Sequence, residues 1–196
     1  MSKLVIYFLR HGETDWNAEG RMQGQTDVPL NDKGRGQATR NGRILAPVLR
    51  PIASFDFVAS PLIRARETME IARTELGIDP KVYRTDDRLK EIGFGSFEGR
   101  TWADINANEL QSVRAREADT YHWVAPGPGG ESYALLCARA ERWLREVDRD
   151  TVCVAHGGIM RMLRLLIEGI EPARAVVLSA PQDQVMLIKA GRISWL

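Results

Sequence analysis

Two arginines and two histidines stand just beyond the ends of apolar runs, and they are the residues through which this chain can do chemistry. Leu4 to Leu9 (LVIYFL) leads into Arg10-His11-Gly12-Glu13-Thr14, Phe55 to Ala59 (FDFVA) into Ser60-Pro61-Leu62-Ile63-Arg64, and Thr151 to Ala155 (TVCVA) into His156-Gly157-Gly158. A neutral imidazole can attack phosphorus if its other ring nitrogen keeps its proton by bonding to a backbone carbonyl that fixes the tautomer. Arg10 and Arg64 would supply planar, permanently charged forks for the equatorial oxygens of a transferring phosphoryl group, and His156 a further donor. Phosphoryl transfer needs little beyond in-line positioning and charge neutralisation, so such a pocket could replace a metal; no metal and no cofactor is expected.

These residues can act together only if the three runs are neighbouring strands. Each run is continuous rather than alternating in hydrophobicity, as a parallel strand covered on both faces should be. Helical patterns lie between them, at about Asp32 to Leu49, about Pro61 to Leu76 with Pro61 suited to the first turn, and about Glu131 to Val147. The alternation predicts a doubly wound α/β fold, a three-layer α/β/α arrangement around a mostly parallel sheet. Gln184 to Lys189 and Arg192 to Leu196, joined across Ala190-Gly191, read as a hairpin or paired edge strands that make the sheet mixed at an edge. Ligands of such sheets bind outside the carboxyl ends of the strands, where helix N-termini present free N–H groups to an anion. Gly12 and Gly157 would let the backbone approach that ligand closely. Arg64 and Arg66 lie about 200° apart on a helix, so if Arg64 faces the strand end, Arg66 faces away and Thr68 shares the face of Arg64.

The 196 residues fit one compact domain, 1–196. Lysine plus arginine number 27 against 26 acidic residues, a net charge of +1, so no global field draws the chain to nucleic acid or anionic lipid, and anion specificity must be local. The run Leu4 to Leu9 is too short for a signal peptide or a membrane span, and no later apolar run approaches 18 residues. A cytoplasmic protein is expected, and the two cysteines, Cys137 and Cys153, form no disulfide framework and read as packing residues. Pro126 to Gly130 (PGPGG) reads as a loop before a helix, while Gly99 to Pro126 fits either a helical cap over a pocket or a helical surface excursion with its aromatics in the core.

Phe8-Leu9-Arg10-His11-Gly12-Glu13-Thr14 followed by Asn17 resembles the signature of the histidine phosphatase superfamily, which includes the phosphoglycerate mutases. The resemblance runs from about residue 3 to 165. It includes Gln23-Gly24 with Asp27, Pro29 and Leu30; Gly34 and Gln37-Ala38; Ser60-Pro61-Leu62 with Arg64-Ala65 and Glu67-Thr68; Leu89 with Glu91; Phe94-Gly95 with Glu98-Gly99; Pro128 to Ser132; and His156-Gly157. It implies that His11 takes the phosphoryl group and that Arg10, Arg64 and His156 hold its oxygens. It also implies that Asn17 and the Gly157 N–H help to bind it, that Gln23 and Gly24 border the substrate, and that Glu91 is the general acid and base. Family order alone singles out Glu91; on pattern, Asp86, Asp87, Glu91 and Glu98 are all solvated loop charges. A phosphorylated small molecule is the expected ligand, and a homodimer the expected assembly.

Other phosphate chemistries lack their motifs. No G-x-x-x-x-G-K-[ST] is present. Neither cysteine begins a C-x5-R loop, since Trp143 stands six residues after Cys137 and Ile159 six after Cys153. His11, His122 and His156 show no metal-ligand spacing, and His122 reads as an ordinary partly exposed residue. Leu89 to Gly99 is similar to the phosphatase branch of the family, whereas mutases usually carry an arginine-histidine-tyrosine run after the glutamate. A hydrolase working through phosphohistidine is therefore expected. A mutase, and a phospholigand-binding protein that has lost catalysis, are the alternatives.

Overall fold

Burial on both faces makes the three apolar runs the middle of one sheet. The computed structural model describes residues 4–196; residues 1–3, with which the expected domain and the resemblance begin, lie outside the described residues. The chain runs β1 (Val5–Arg10), α1 (Asp15–Ala18), α2 (Asp32–Leu45), β2 (Asp56–Ala59), α3 (Ile63–Glu75), β3 (Arg84–Thr85), α4 (Trp102–Asn108), α5 (Leu110–Ala118), α6 (Tyr133–Glu146), β4 (Thr151–Ala155), α7 (Gly157–Glu168), α8 (Pro172–Ala175), β5 (Val185–Lys189) and β6 (Arg192–Trp195). The sheet order is β3-β2-β4-β1-β5-β6. The first four of these are parallel, and β5 and β6 are antiparallel additions, so the sheet is mixed at one edge as expected.

Alternation along the strands builds the three layers. Ile6, Phe8, Val58, Cys153 and Ala155 share a core with residues of α6, α7 and α8. Tyr7, Leu9, Phe57, Ala59, Val152 and Val154 pack on the other face with Leu45, Ala65, Met69 and Ala72 of α2 and α3. Cys137 and Cys153 are both free and buried, which agrees with their reading as packing residues. No helix among the described residues is long and apolar enough to cross a membrane.

Strand limits match the apolar runs to within one residue, but three helices differ from their patterns. α2 stops at Leu45 rather than Leu49. Pro47 has no N–H to give the Arg43 carbonyl, so only a turn continues from there. Pro61 lies outside α3: Leu62, at φ −66° and ψ 139°, is the N-cap, and the helix begins at Ile63. Ser60 to Leu62 turn the chain off the strand, and the carboxylate of Asp27, in a distant loop, accepts the Ile63 N–H at 2.6 Å in place of a local cap. α6 starts at Tyr133 because Ser132 caps it, its hydroxyl accepting the Leu135 N–H at 3.2 Å, which leaves Glu131 outside the helix. The hairpin turn carries positive φ at both Ala190 (50°) and Gly191 (73°), the geometry of a tight two-residue connection between twisted strands. β3 has no counterpart among the apolar runs, because two exposed residues on an edge leave no hydrophobic pattern to read.

Candidate active site

Strand register brings the candidate residues to one end of the sheet. Arg10 pairs with Ala155 across β1 and β4, so His11 and His156 emerge together, and Ala59 pairs with Val154 across β2 and β4, which sets Ser60 one residue short of them. The His11 N–H continues the ladder to the Ala155 carbonyl at 2.9 Å, and the Ser60 N–H does the same to Val154 at 2.9 Å. The rings of His11 and His156 are 5.1 Å apart, centroid to centroid. Arg10, His11, Asn17, Gln23, Gly24, Arg64 and Glu91 line a cavity of ≈ 180 Å³ at this strand end, with Arg21, Met22, Ile92, Phe94, Tyr133 and Arg161 completing its wall. His156 and Gly157 are buried beside that wall rather than in it.

His11 meets the requirement for a nucleophile. Its Nδ1 lies 2.7 Å from the Gly12 carbonyl, which can only accept, so Nδ1 carries the proton and Nε2 the lone pair. Burial first, then Arg64 and Arg10, hold the imidazole well below its ordinary pKa, so it is neutral and nucleophilic around neutral pH. His156 is held down by burial and by the same arginines together with His11. The Ser60 hydroxyl accepts the Leu62 N–H at 3.4 Å and stands 2.7 Å from His156 Nε2. If that hydroxyl donates to Nε2, the ring proton falls on Nδ1, a buried atom with no hydrogen-bond partner among the described residues.

The arginines are held by backbone carbonyls, each with one buried N–H left over. Arg64 donates from Nη1 to Thr26 at 2.8 Å and from Nη2 to Gly24 at 2.7 Å; Arg10 donates from Nη1 to Ala180 at 2.6 Å. The Nε of each is buried without a partner among the described residues. Burial lowers both guanidinium pKa values, that of Arg10 to about 10, so both remain cationic at neutral pH. Arg64 is fully buried and Arg66 exposed, as their helical spacing predicts. Thr68 does share the face of Arg64: its hydroxyl donates to the Arg64 carbonyl at 2.8 Å and accepts the Gly12 N–H at 3.0 Å. Asn17 caps α1 with Thr14, its Oδ1 accepting from Thr14 N and from Gln182 Nε2, which leaves its NH₂ to offer a ligand.

Glu91 reaches the site from a loop. Its carboxylate accepts the Gly158 N–H at 3.0 and 3.2 Å and the Ile92 N–H at 3.0 Å, so it rests on the first turn of α7. A Cβ on Gly158 would stand 2.2 Å from Glu91 Oε1, so a side chain there would push the carboxylate off its seat on α7. Gly12 answers to a different constraint from the one its position suggested. A Cβ on it would meet the Gly34 carbonyl oxygen at 2.2 Å, so the packing of α2 by itself requires glycine there. A Cβ on Gly157 would make only ordinary contacts, at 3.4 Å from Arg10 Nε and from Ala180.

Two further carboxylates organise the loops and left no sign of it in the sequence pattern. Glu98 is no solvated charge: it accepts the N–H groups of Gln25, Thr26 and Phe94 at 2.9, 2.9 and 3.1 Å, tying one cavity wall to the other. Glu131 pairs with Arg139 at 2.9 Å, and Arg139 donates to the carbonyls of Arg88, Lys90 and Glu91 at 2.6, 2.5 and 2.9 Å. This buried fork fixes the backbone from which Glu91 projects. His122 is exposed and paired with Asp119 at 2.8 Å, away from the cavity. No residue of 99–130 lines the cavity either; Ile105 is the buried residue of α4 and Trp123 stacks on Phe97, while α5 has no buried residue.

A family profile described as the histidine phosphatase superfamily (branch 1) matches residues 6–193. The metal-independent phosphoserine phosphatase of Arabidopsis thaliana is 35% identical over 168 residues, which cover 83% of this chain and 68% of that protein. The probable phosphoglycerate mutase GpmB of Salmonella paratyphi C is 35% identical over 142 residues, 69% of this chain and 59% of its own. Among solved structures, a mycobacterial glucosyl-3-phosphoglycerate phosphatase in complex with VO3 aligns with a TM-score of 0.79 at 30% identity, covering 98% of this chain and 96% of that one.

Proposed function

The chain belongs to the histidine phosphatase superfamily, branch 1, and from that premise we propose that it is a metal-independent phosphomonoesterase in which His11 carries the phosphoryl group. The observation that carries this reading is the pairing of His11 Nδ1 with the Gly12 carbonyl, which leaves Nε2 as a lone pair in a cavity flanked by Arg10 and Arg64. In the reaction, Nε2 attacks phosphorus in line as the ester oxygen leaves with a proton from Glu91. Arg10, Arg64, His156 and Asn17 hold the equatorial oxygens, with the Gly157 N–H, and Gln23 and Gly24 border the leaving group. Water, deprotonated by Glu91, then attacks phosphohistidine and restores the free imidazole, so the net change is ester plus water to alcohol plus phosphate.

Hydrolysis rather than mutase transfer depends on water reaching the phosphoenzyme. It is supported by a cavity wall to which no residue of 99–130 contributes. The reading takes residues 1–196 as one domain with 99–130 as a helical insertion, acting in the cytoplasm as a homodimer on a phosphorylated small molecule, with no nucleic-acid partner.

Release of nitrophenol from p-nitrophenyl phosphate is expected to survive exhaustive EDTA treatment. Vanadate, which adopts the five-coordinate shape of the transferring phosphorus, is expected to inhibit far more tightly than phosphate. Activity abolished by EDTA and restored by Mg²⁺ or Zn²⁺ would contradict the mechanism.

A further inference from the structure

Arg161 lines the cavity yet has no part in the phosphoryl cradle. It stands on α7 one turn beyond Gly157, beside Tyr133 of α6. A long helical side chain leans back over the preceding turn, which here is the glycine pair next to His156 and directs Arg161 towards the site. Its Nε donates to the Leu178 carbonyl at 2.8 Å, and it shares the cavity wall with the buried Tyr133, where its charge counters the upward shift that burial gives that phenol. No carboxylate among the described residues pairs with Arg161. The one carboxylate in the cavity wall, Glu91, is engaged by the Gly158 and Ile92 N–H groups. A partly buried guanidinium without a counter-ion is costly unless an anion arrives to meet it.

The place of Arg161 also separates it from the reacting atoms. Arg10 closes β1 beside His11 and Arg64 stands in the first turn of α3, whereas Arg161 stands a full turn along α7 from Gly157. It thus lines the cavity from the α6–α7 side, where a leaving group can meet it if phosphorus faces His11. The cavity of ≈ 180 Å³ suits a compact leaving group.

We propose that Arg161 and Tyr133 form a specificity site for an anionic oxygen group on the leaving group, a carboxylate or a second phosphate close to the ester. The inference rests on the phosphomonoesterase reading and names its substrate class: small phosphate esters that carry a second negative group. The Arg161 fork would take two of that group's oxygens and the Tyr133 hydroxyl would donate to one of them.

Arg161→Met keeps an apolar stem and removes the charge. The test compares kcat/KM of the parent and this variant on 3-phosphoglycerate and glycerol 3-phosphate, which differ by carboxylate against hydroxymethyl. A parallel comparison uses propane-1,3-diol bisphosphate against its monophosphate. The variant is expected to lose ~10- to 100-fold on one acidic ester while its neutral counterpart changes by no more than about twofold, and Tyr133→Phe is expected to lose less in the same direction. Whichever acidic ester responds identifies carboxylate or phosphate as the group bound. An equal loss on acidic and neutral esters, or no loss on either, overturns the proposal. Ligand-induced thermal shifts of His11→Ala protein, with and without Arg161→Met, make the same comparison without turnover. Nitrophenol release by the parent tests the underlying reading separately.

Discussion

His11→Ala is expected to lower turnover of every phosphomonoester roughly 10⁴-fold or more, the scale on which removal of a covalent nucleophile acts. No other group can take over the step as placed. With the Ser60 hydroxyl donating to His156 Nε2 at 2.7 Å, the ring proton lies on Nδ1, so His156 can donate to a phosphoryl oxygen but has no free lone pair with which to attack. The fold should persist, because the backbone ladder from His11 N to the Ala155 carbonyl does not depend on the side chain. The buried Gly12 carbonyl loses its imidazole partner, a cost of about 1–3 kcal/mol, which for a chain of this size lowers Tm by several degrees. Steady-state assays alongside a melting curve separate the two effects. Loss of activity together with loss of cooperative unfolding would mean that His11 matters chiefly for structure.

Glu91→Gln should give the second largest effect, and one that depends on the leaving group. An alkyl alkoxide is too basic to leave unaided, and a carboxylic acid within hydrogen-bond reach typically contributes ~10²–10⁴ in rate. Nitrophenolate is stable near neutral pH and needs far less help. Glutamine keeps an oxygen that can accept the Gly158 N–H held at 3.0 Å by Glu91, so the loop and the first turn of α7 should stay in place. The pre-steady-state burst of enzyme phosphorylation is therefore expected to slow strongly with a sugar or glycerol phosphate and little with p-nitrophenyl phosphate. Burst rates must be compared, since loss of the base slows water attack for every substrate. Equal slowing for both leaving groups, or none, would remove Glu91 from the role and direct attention to Glu98 and Asp87.

Much of the site was legible because it obeys local rules. Continuous apolar runs marked β1, β2 and β4, and their register places His11 level with His156 and Ser60 one residue before them. Helical periodicity separated Arg64 from Arg66 and put Thr68 beside Arg64, where it accepts the Gly12 N–H. What stayed hidden depends on partners distant in the chain. Asp27 capping α3, Glu98 joining residues 25–26 to Phe94, and Arg139 clamping the backbone at 88–91 each link segments tens of residues apart, and no local pattern announces such a link. Glu131 stood in a recognisable motif, but its role became visible only through Arg139 and Gly93, to which it bonds at 2.9 and 3.0 Å. Gly12 shows the limit from the other direction: the residue type was informative, but the reason for it is the Gly34 carbonyl of α2.

The central claim is a covalent bond between phosphorus and Nε2 of His11. Mixing the protein with ³²P-labelled substrate and quenching within the burst, without acid, should trap label that is acid-labile and base-stable. Peptide mapping under basic conditions should place it on His11, and the His11→Ala protein should retain none. Full-strength label in the His11→Ala protein, or label mapping to His156 or to an acid-stable linkage, would contradict the account.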